Sequence, residues 1–145
     1  MENINLRQLK LEDYPLNTFD KIRYGDTDRQ GHVNNAVFAT FLETGRTELL
    51  YHPDNPLYSP DCSFVIVNLN LDLIAELKWP GKVEIGTAIK EVGNSSVKIV
   101  QGLYQNNKIA ATAQTVIVHI DKNKSKSTLL SEAAKDTFKK YMLKK

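Results

Sequence analysis

The segment NAVFATFLETGRTELLY, residues 35–51, decides the fold. Val37, Phe38, Phe41, Leu42, Gly45, Leu49 and Leu50 recur in it at three- and four-residue spacing, the period of one helix face. Asn34 or Asn35 offers a cap at its start, and Pro53 and Pro56 end it. Gly45 sits mid-helix at a propensity cost of about 1 kcal/mol relative to alanine, which predicts close packing of this face against a sheet.

Outward from the helix the chain reads as strand. Thr18 to Tyr24 forms a short strand before it, followed by Gly25-Asp26-Thr27-Asp28-Arg29-Gln30-Gly31, a run of turn-forming and polar residues. Downstream, Phe64 to Ile74 alternates, with Val65, Val67, Leu69, Leu71 and Leu73 expected on one face and Asn68, Asn70 and Asp72 on the other. Trp79-Pro80-Gly81 breaks the chain. Lys82 to Val92, Ser95 to Gln105 and Lys108 to Asp121 then read as three more strands, separated by tight hairpin turns at Gly93-Asn94 and Asn106-Asn107. Ser131 to Leu143 reads as a short surface helix, with Ala134, Phe138 and Tyr141 at helical spacing. The order strand, helix, four strands predicts an α+β architecture: an antiparallel sheet with the helix on one face, in a single domain spanning residues 1–145.

Composition narrows the function classes. A chain of 145 residues buries roughly 70% of its unfolded surface, enough to fold without disulfides or a structural metal. Nineteen Lys and Arg against 17 Asp and Glu give no bulk electrostatic reason to expect a nucleic-acid partner. Lysines crowd the last quarter, from Lys122 to Lys145, where a solvated face is the plain reading and phosphate contact the sharper one. The lone Cys62 cannot form an intrachain disulfide, and no Cys/His spacing resembles a zinc site. Residues 1–10 lack the apolar run of a signal peptide and no 18 consecutive apolar residues occur, so no membrane partner is expected and the cytoplasm is the expected compartment.

The stretch IRYGDTDRQGHVNNAVFATFLETGR (22–46) closely resembles the signature of the 4-hydroxybenzoyl-CoA thioesterase-like branch of the hotdog superfamily. NLNLDLIAELKWPG (68–81) and ATAQTVIVHID (111–121) look like that family's later blocks, in the same order and spacing. The resemblance covers most of the chain. It implies the hotdog fold, a five-stranded, strongly curved antiparallel sheet wrapped around one long central helix, with a short C-terminal helix following. It also implies an acyl-CoA thioesterase that releases free acid and CoA, a homodimer paired edge to edge with its sites at the subunit boundary, and assembly to a homotetramer or higher. No cofactor is implied beyond CoA as part of the substrate, and no metal.

Thioester hydrolysis needs a group that attacks the carbonyl, or activates water to do so, and donors that stabilise the oxyanion. Asp28, the second acid of the G-D-x-D pattern, matches the family's catalytic aspartate, as nucleophile or as general base. Amides around Gly31, His32 and Val33 are expected to polarise the carbonyl at the helix entrance, and Gly31, lacking a Cβ, would let an acyl chain approach. His32 matches a histidine of the branch resembling plant acyl-carrier-protein thioesterases, where aspartate, asparagine and histidine follow at two-residue steps; here Gln30 holds the middle position, one methylene longer. Glu76 aligns with a glutamate accompanying that set, although Leu77 stands where those enzymes have cysteine. Asn34 and Asn35 read as caps first and substrate contacts second.

Each residue has a plainer reading: an Asx-turn for Asp28, a polar helix entrance for His32, a solvated strand-end charge for Glu76. Glu43 and Arg46, three apart, read as an ion pair, and Tyr24 and Phe38 as core. Cys62, His52 and His119 are not expected to be catalytic. Rival functions are an acyl-ACP thioesterase, a hotdog dehydratase and a protein that binds acyl-CoA without cleaving it.

Overall fold

The computed structural model describes residues 4–29 and 31–144. Its elements in chain order are β1 (Leu16–Ile22), α1 (Asn35–Leu50), β2 (Cys62–Leu73), β3 (Gly81–Val92), β4 (Ser96–Gln105), β5 (Lys108–Asp121), β6 (Lys126–Ser127) and α2 (Glu132–Lys140). Five long strands form one curved antiparallel sheet in the order β1-β3-β4-β5-β2, with the two-residue β6 folded back on β5. The expected hotdog arrangement of sheet and central helix is therefore present.

Helix α1 buries Phe38, Phe41 and Leu42 against Ile85, Leu103, Ala111 and Ala113 of the sheet. Gly45 lies where the approach is closest: a Cβ there would come within 2.6 Å of Gln101 Nε2 and 2.7 Å of Ile85 Cγ2 and Thr87 Oγ1. Gln101 is fully buried and satisfied, its Nε2 donating to Leu42 O at 2.9 Å and to Thr87 Oγ1 at 3.0 Å. Its Oε1 accepts from Arg46 at 3.4 Å. The expected Glu43–Arg46 ion pair gives way to this contact, because Arg46 turns inward and is buried; burial holds its guanidinium below the ordinary arginine pKa, with the charge of Glu43 opposing.

The opposite face of the sheet is covered by chain that carries no periodic signal. Two 3-10 turns, Leu6–Gln8 and Leu11–Asp13, lead Leu9 and Tyr14 onto Ala88, Val100 and Tyr104. Tyr104 donates its hydroxyl to Leu9 O at 2.7 Å, and burial pushes its pKa up to about 12.

Two expectations are corrected. Val67 is a bulge residue in β2, skipped between the pairs Ile66↔Ile117 and Asn68↔Val116. The phase of the strand reverses there, so Leu69, Leu71 and Leu73 share their face with Ile66, Phe64 and Cys62, and Val65 points the other way. Helix α2 is less superficial than expected, since Ala134 and the fully buried Phe138 join Leu49, Leu50, Ile89 and Ile99 in a second apolar cluster.

Gly45→Ala should destabilise the protein by about 1–3 kcal/mol through overpacking, although an open helix position would gain about 1 kcal/mol from the same change. The check is a lower denaturation midpoint at unchanged m-value.

Candidate active site

Strand order places the site. β2 lies at one edge and β3 beyond β5 and β4, so residues 74–80 must cross the end of the sheet. Three contacts fix this crossover. Ala110 is skipped in the β4–β5 ladder, and its freed carbonyl accepts from the amides of Ile74 at 2.9 Å and Ala75 at 3.0 Å. Leu77, fully buried, accepts at its carbonyl from Val33 N–H at 2.8 Å. Gln105 clasps the Lys78 backbone on both sides, its Oε1 accepting from Lys78 N–H at 2.9 Å and its Nε2 donating to Lys78 O at 2.8 Å.

The loop before α1 is built around Asp26, which is 3% exposed. Its carboxylate accepts from Arg23 N–H at 2.7 Å and from the Arg23 guanidinium at 2.9 Å, and its carbonyl accepts from Asn34 N–H at 2.8 Å. Burial favours the neutral acid, but the bonds and charge of Arg23 outweigh it and hold Asp26 below the usual carboxylate range. The first acid of the G-D-x-D pattern is thus an anchor.

Asp28 follows at the rim. Its N–H donates to His32 O at 2.8 Å, its carbonyl accepts from Gly31 N–H at 3.3 Å, and its Oδ1 accepts from His32 N–H at 3.3 Å. The turn requires Gly31, whose φ of +80° lies in the left-handed region. Across from it, His32 Nε2 meets Glu76 Oε2 at 3.1 Å, joining the entrance loop to the crossover.

Asp28, His32, Val33, Asn35 and Glu76 line one cleft of about 390 Å³. Phe38, Leu73, Ile74 and Ala75 complete its wall. Phe38 is both core, as expected, and cleft wall; Leu73 is carried there by its pairing with Ala111 at the end of β2, whereas Ile74 and Ala75, brought by the crossover contacts, carry no signal in sequence. Gly31 and Asn34 do not line the cleft, and Gln30 lies outside the described residues. Asn34 serves as cap, accepting from Ala36 N–H at 3.0 Å.

The amides expected to polarise a carbonyl are otherwise engaged. Val33 N–H goes to Leu77, and those of Gly31 and His32 form the longer bonds to Asp28. Within α1, Ala36 N–H is capped and Val37 N–H donates to Asn34 O at 2.9 Å. Among the described residues no acceptor is found for Asn35 N–H, which opens the helix beside the cleft.

The remaining candidates are structural or superficial. His119 is fully buried; its Nε2 accepts from Ser59 N–H at 3.1 Å, so Nδ1 carries the proton toward Thr128 O at 3.2 Å. Cys62 is buried at the start of β2, and His52 pairs on the surface with Asp54 at 3.8 Å. Tyr24, expected in the core, is 73% exposed and packs edge-on against Trp79. Among the described residues no group of three or more His, Cys, Asp or Glu is placed to hold a metal ion, and no helix is long and apolar enough to cross a membrane.

A curved antiparallel sheet around one long helix, with an acidic cleft at the helix entrance, defines a hotdog-fold protein. The chain belongs to the thioesterase-like superfamily, whose family model matches residues 22–138. It is 27% identical over 123 residues to the acyl-CoA thioester hydrolase YbgC of Escherichia coli, covering 82% of this chain and 92% of that one. With the acyl-CoA thioesterase YbgC of Haemophilus influenzae it shares 25% identity, covering 81% and 90%. Among solved structures, a Thermus thermophilus thioesterase complexed with coenzyme A and Zn superposes with a TM-score of 0.76 at 25% identity, covering 88% and 94%. A Pseudomonas aeruginosa protein at 22% identity gives 0.82, covering 93% and 96%, a likeness of fold.

Asp26 sets one pH dependence. Its folded pKa is lowered, so its contribution to stability is complete above the ordinary aspartate value of about 3.9 and is lost as pH falls through the folded value. Asp26→Asn should lower the thermal midpoint at neutral pH and flatten its decline in acid, read by calorimetry across that range.

Proposed function

We propose that this protein hydrolyses acyl-CoA to the free acid and CoA, with Asp28 as the catalytic carboxylate. The observation that carries the reading is the convergence of Asp28, the Asn35 amide and the His32–Glu76 pair on one cleft at the positive end of α1. The names of the YbgC relatives support the substrate class.

In the reaction, the Asp28 carboxylate either adds to the thioester carbonyl carbon or takes a proton from a water that does so. The carbonyl oxygen becomes an oxyanion, which the Asn35 N–H at the opening of α1 stabilises. One such donor is typically worth about 2.7–4 kcal/mol of barrier. Collapse of the adduct breaks the C–S bond and expels the CoA thiolate. On the general-base route the proton that Asp28 took from water passes to the thiolate. On the nucleophilic route water then cleaves the acyl-Asp28 anhydride, releasing the free acid and the Asp28 carboxylate while its proton goes to the thiolate. Glu76 holds the His32 ring at the cleft wall.

A second reading, an acyl-carrier-protein thioester as substrate, draws on the contact between His32 and Glu76, the pair that accompanies the aspartate in the resembling plant branch. Turnover of one acyl group on CoA and on carrier protein, side by side, separates the two.

The reading includes a homodimer. β2 is a terminal strand of 12 residues whose outer edge has no partner among the described residues, and Ile66, Val67, Leu69 and Leu73 are 38–59% exposed on it. A long edge strand with this much exposed apolar surface calls for a second chain. Leu73 ends β2 and also lines the cleft, so a partner along β2 would border the site.

Asp28→Asn should lower kcat/KM on acyl-CoA by about 10²- to 10⁴-fold, read by thiol release, with the thermal midpoint preserved. Full activity in that variant would end the proposal. Leu69→Lys should shift the protein to monomer in light scattering; an unchanged dimer would remove β2 as the interface.

A further inference from the structure

The cleft is not the end of the hollow. A second depression of about 340 Å³ shares Ala75 and Glu76 with it and continues past Lys78 and Gln105 to Lys108 on the β4–β5 hairpin. We propose that this depression holds phosphate of the phosphopantetheine arm, bound by the ammonium groups of Lys78 and Lys108. The inference rests on the acyl-thioester reading above and adds to it the path of the substrate's long, non-reacting end.

With the thioester carbon beside Asp28, everything beyond the sulfur must leave along a wall of the cleft. The Ala75-Glu76 wall leads to two positive charges. Among the described residues neither ammonium has a carboxylate within ion-pair distance. The acid lining this depression, Glu76, is already engaged at 3.1 Å with His32 on the cleft side. Two ammonium groups against one carboxylate leave a net positive charge for a phosphate to meet.

The backbone carrying these lysines is fixed. Gln105 clasps Lys78 through both of its backbone polar groups, at 2.9 and 2.8 Å. Gly81, with φ of +149°, leaves room for that clasp, since a Cβ would stand 2.9 Å from Gln105 Nε2. Lys108 begins β5 after a tight turn in which Asn106 and Asn107 both take positive φ, +52° and +63°. Lys78 and Lys108 therefore face one depression from two elements whose spacing the clasp sets. Gln105 is a positioning residue in this scheme.

The test is a graded series carrying one acyl group: acyl-pantetheine, acyl-4′-phosphopantetheine and acyl-CoA. For Lys78→Ala/Lys108→Ala, KM on acyl-CoA should rise about tenfold with kcat kept, since two partly exposed charge pairs are lost. The rise should vanish on acyl-pantetheine. A rise already present on acyl-4′-phosphopantetheine places the contact on the phosphate that CoA and carrier protein share, as proposed; a rise confined to acyl-CoA places it on the phosphates that CoA alone carries and overturns the assignment. Lys78→Arg/Lys108→Arg should restore KM. An equal loss on all three substrates, or none on any, overturns the proposal. Calorimetric titration with CoA itself gives a readout independent of turnover, with a Kd about tenfold weaker in the double alanine variant. If the unmodified protein cleaved no thioester, the hydrolase reading would fall, while this titration would still decide the phosphate site.

Discussion

The crossover between β2 and β3 is the constraint on which the site depends. Because consecutive strands lie on opposite sides of the sheet, seven residues, 74–80, must span its open end. An unsupported loop there would leave backbone amides and carbonyls without partners. A bulge carbonyl, a glutamine side chain and an amide from the entrance loop supply those partners, while the burial of Leu77 contributes about 1.5–3 kcal/mol. Once the span is held, Glu76 meets His32 on the cleft side, and Lys78 lines the depression toward the hairpin.

The two acids of the G-D-x-D pattern divide the work by burial. Asp26 is enclosed and bonded to Arg23, which suits it to fix the loop and deprives it of access to a ligand. Asp28, two residues on, stands at the cleft. Its Asx-like contact with His32 N–H and its proposed chemistry are compatible: the same bond that shapes the turn keeps the carboxylate beside the helix entrance.

Much of this was readable from residue order. The α1 periodicity and the four strands after it are strong local signals, and the cost of Gly45 anticipated the close sheet contact that a 2.6 Å virtual Cβ distance now explains. The entrance loop was legible for the same reason, since its turn residues act locally. What escaped depended on distant partners. The 3-10 turns at the N-terminus are three residues each, too short to show a period. Ile74 and Ala75 are held at the cleft by the Ala110 carbonyl, and the inward turn of Arg46 follows from the buried Gln101 waiting across the core.

The single unpaired residue in β2 reaches beyond this chain. On either side of Val67 the strand obeys the usual alternation, but the two halves are out of step by one position. A comparison of relatives that tracks apolar residues through this segment without a gap would assign one half to the interior and the other, wrongly, to solvent. Deleting that residue would leave every other pair of the strand in register and Phe64 still against Phe138, so the extra residue serves the local bend and twist of the edge rather than the facing of its side chains.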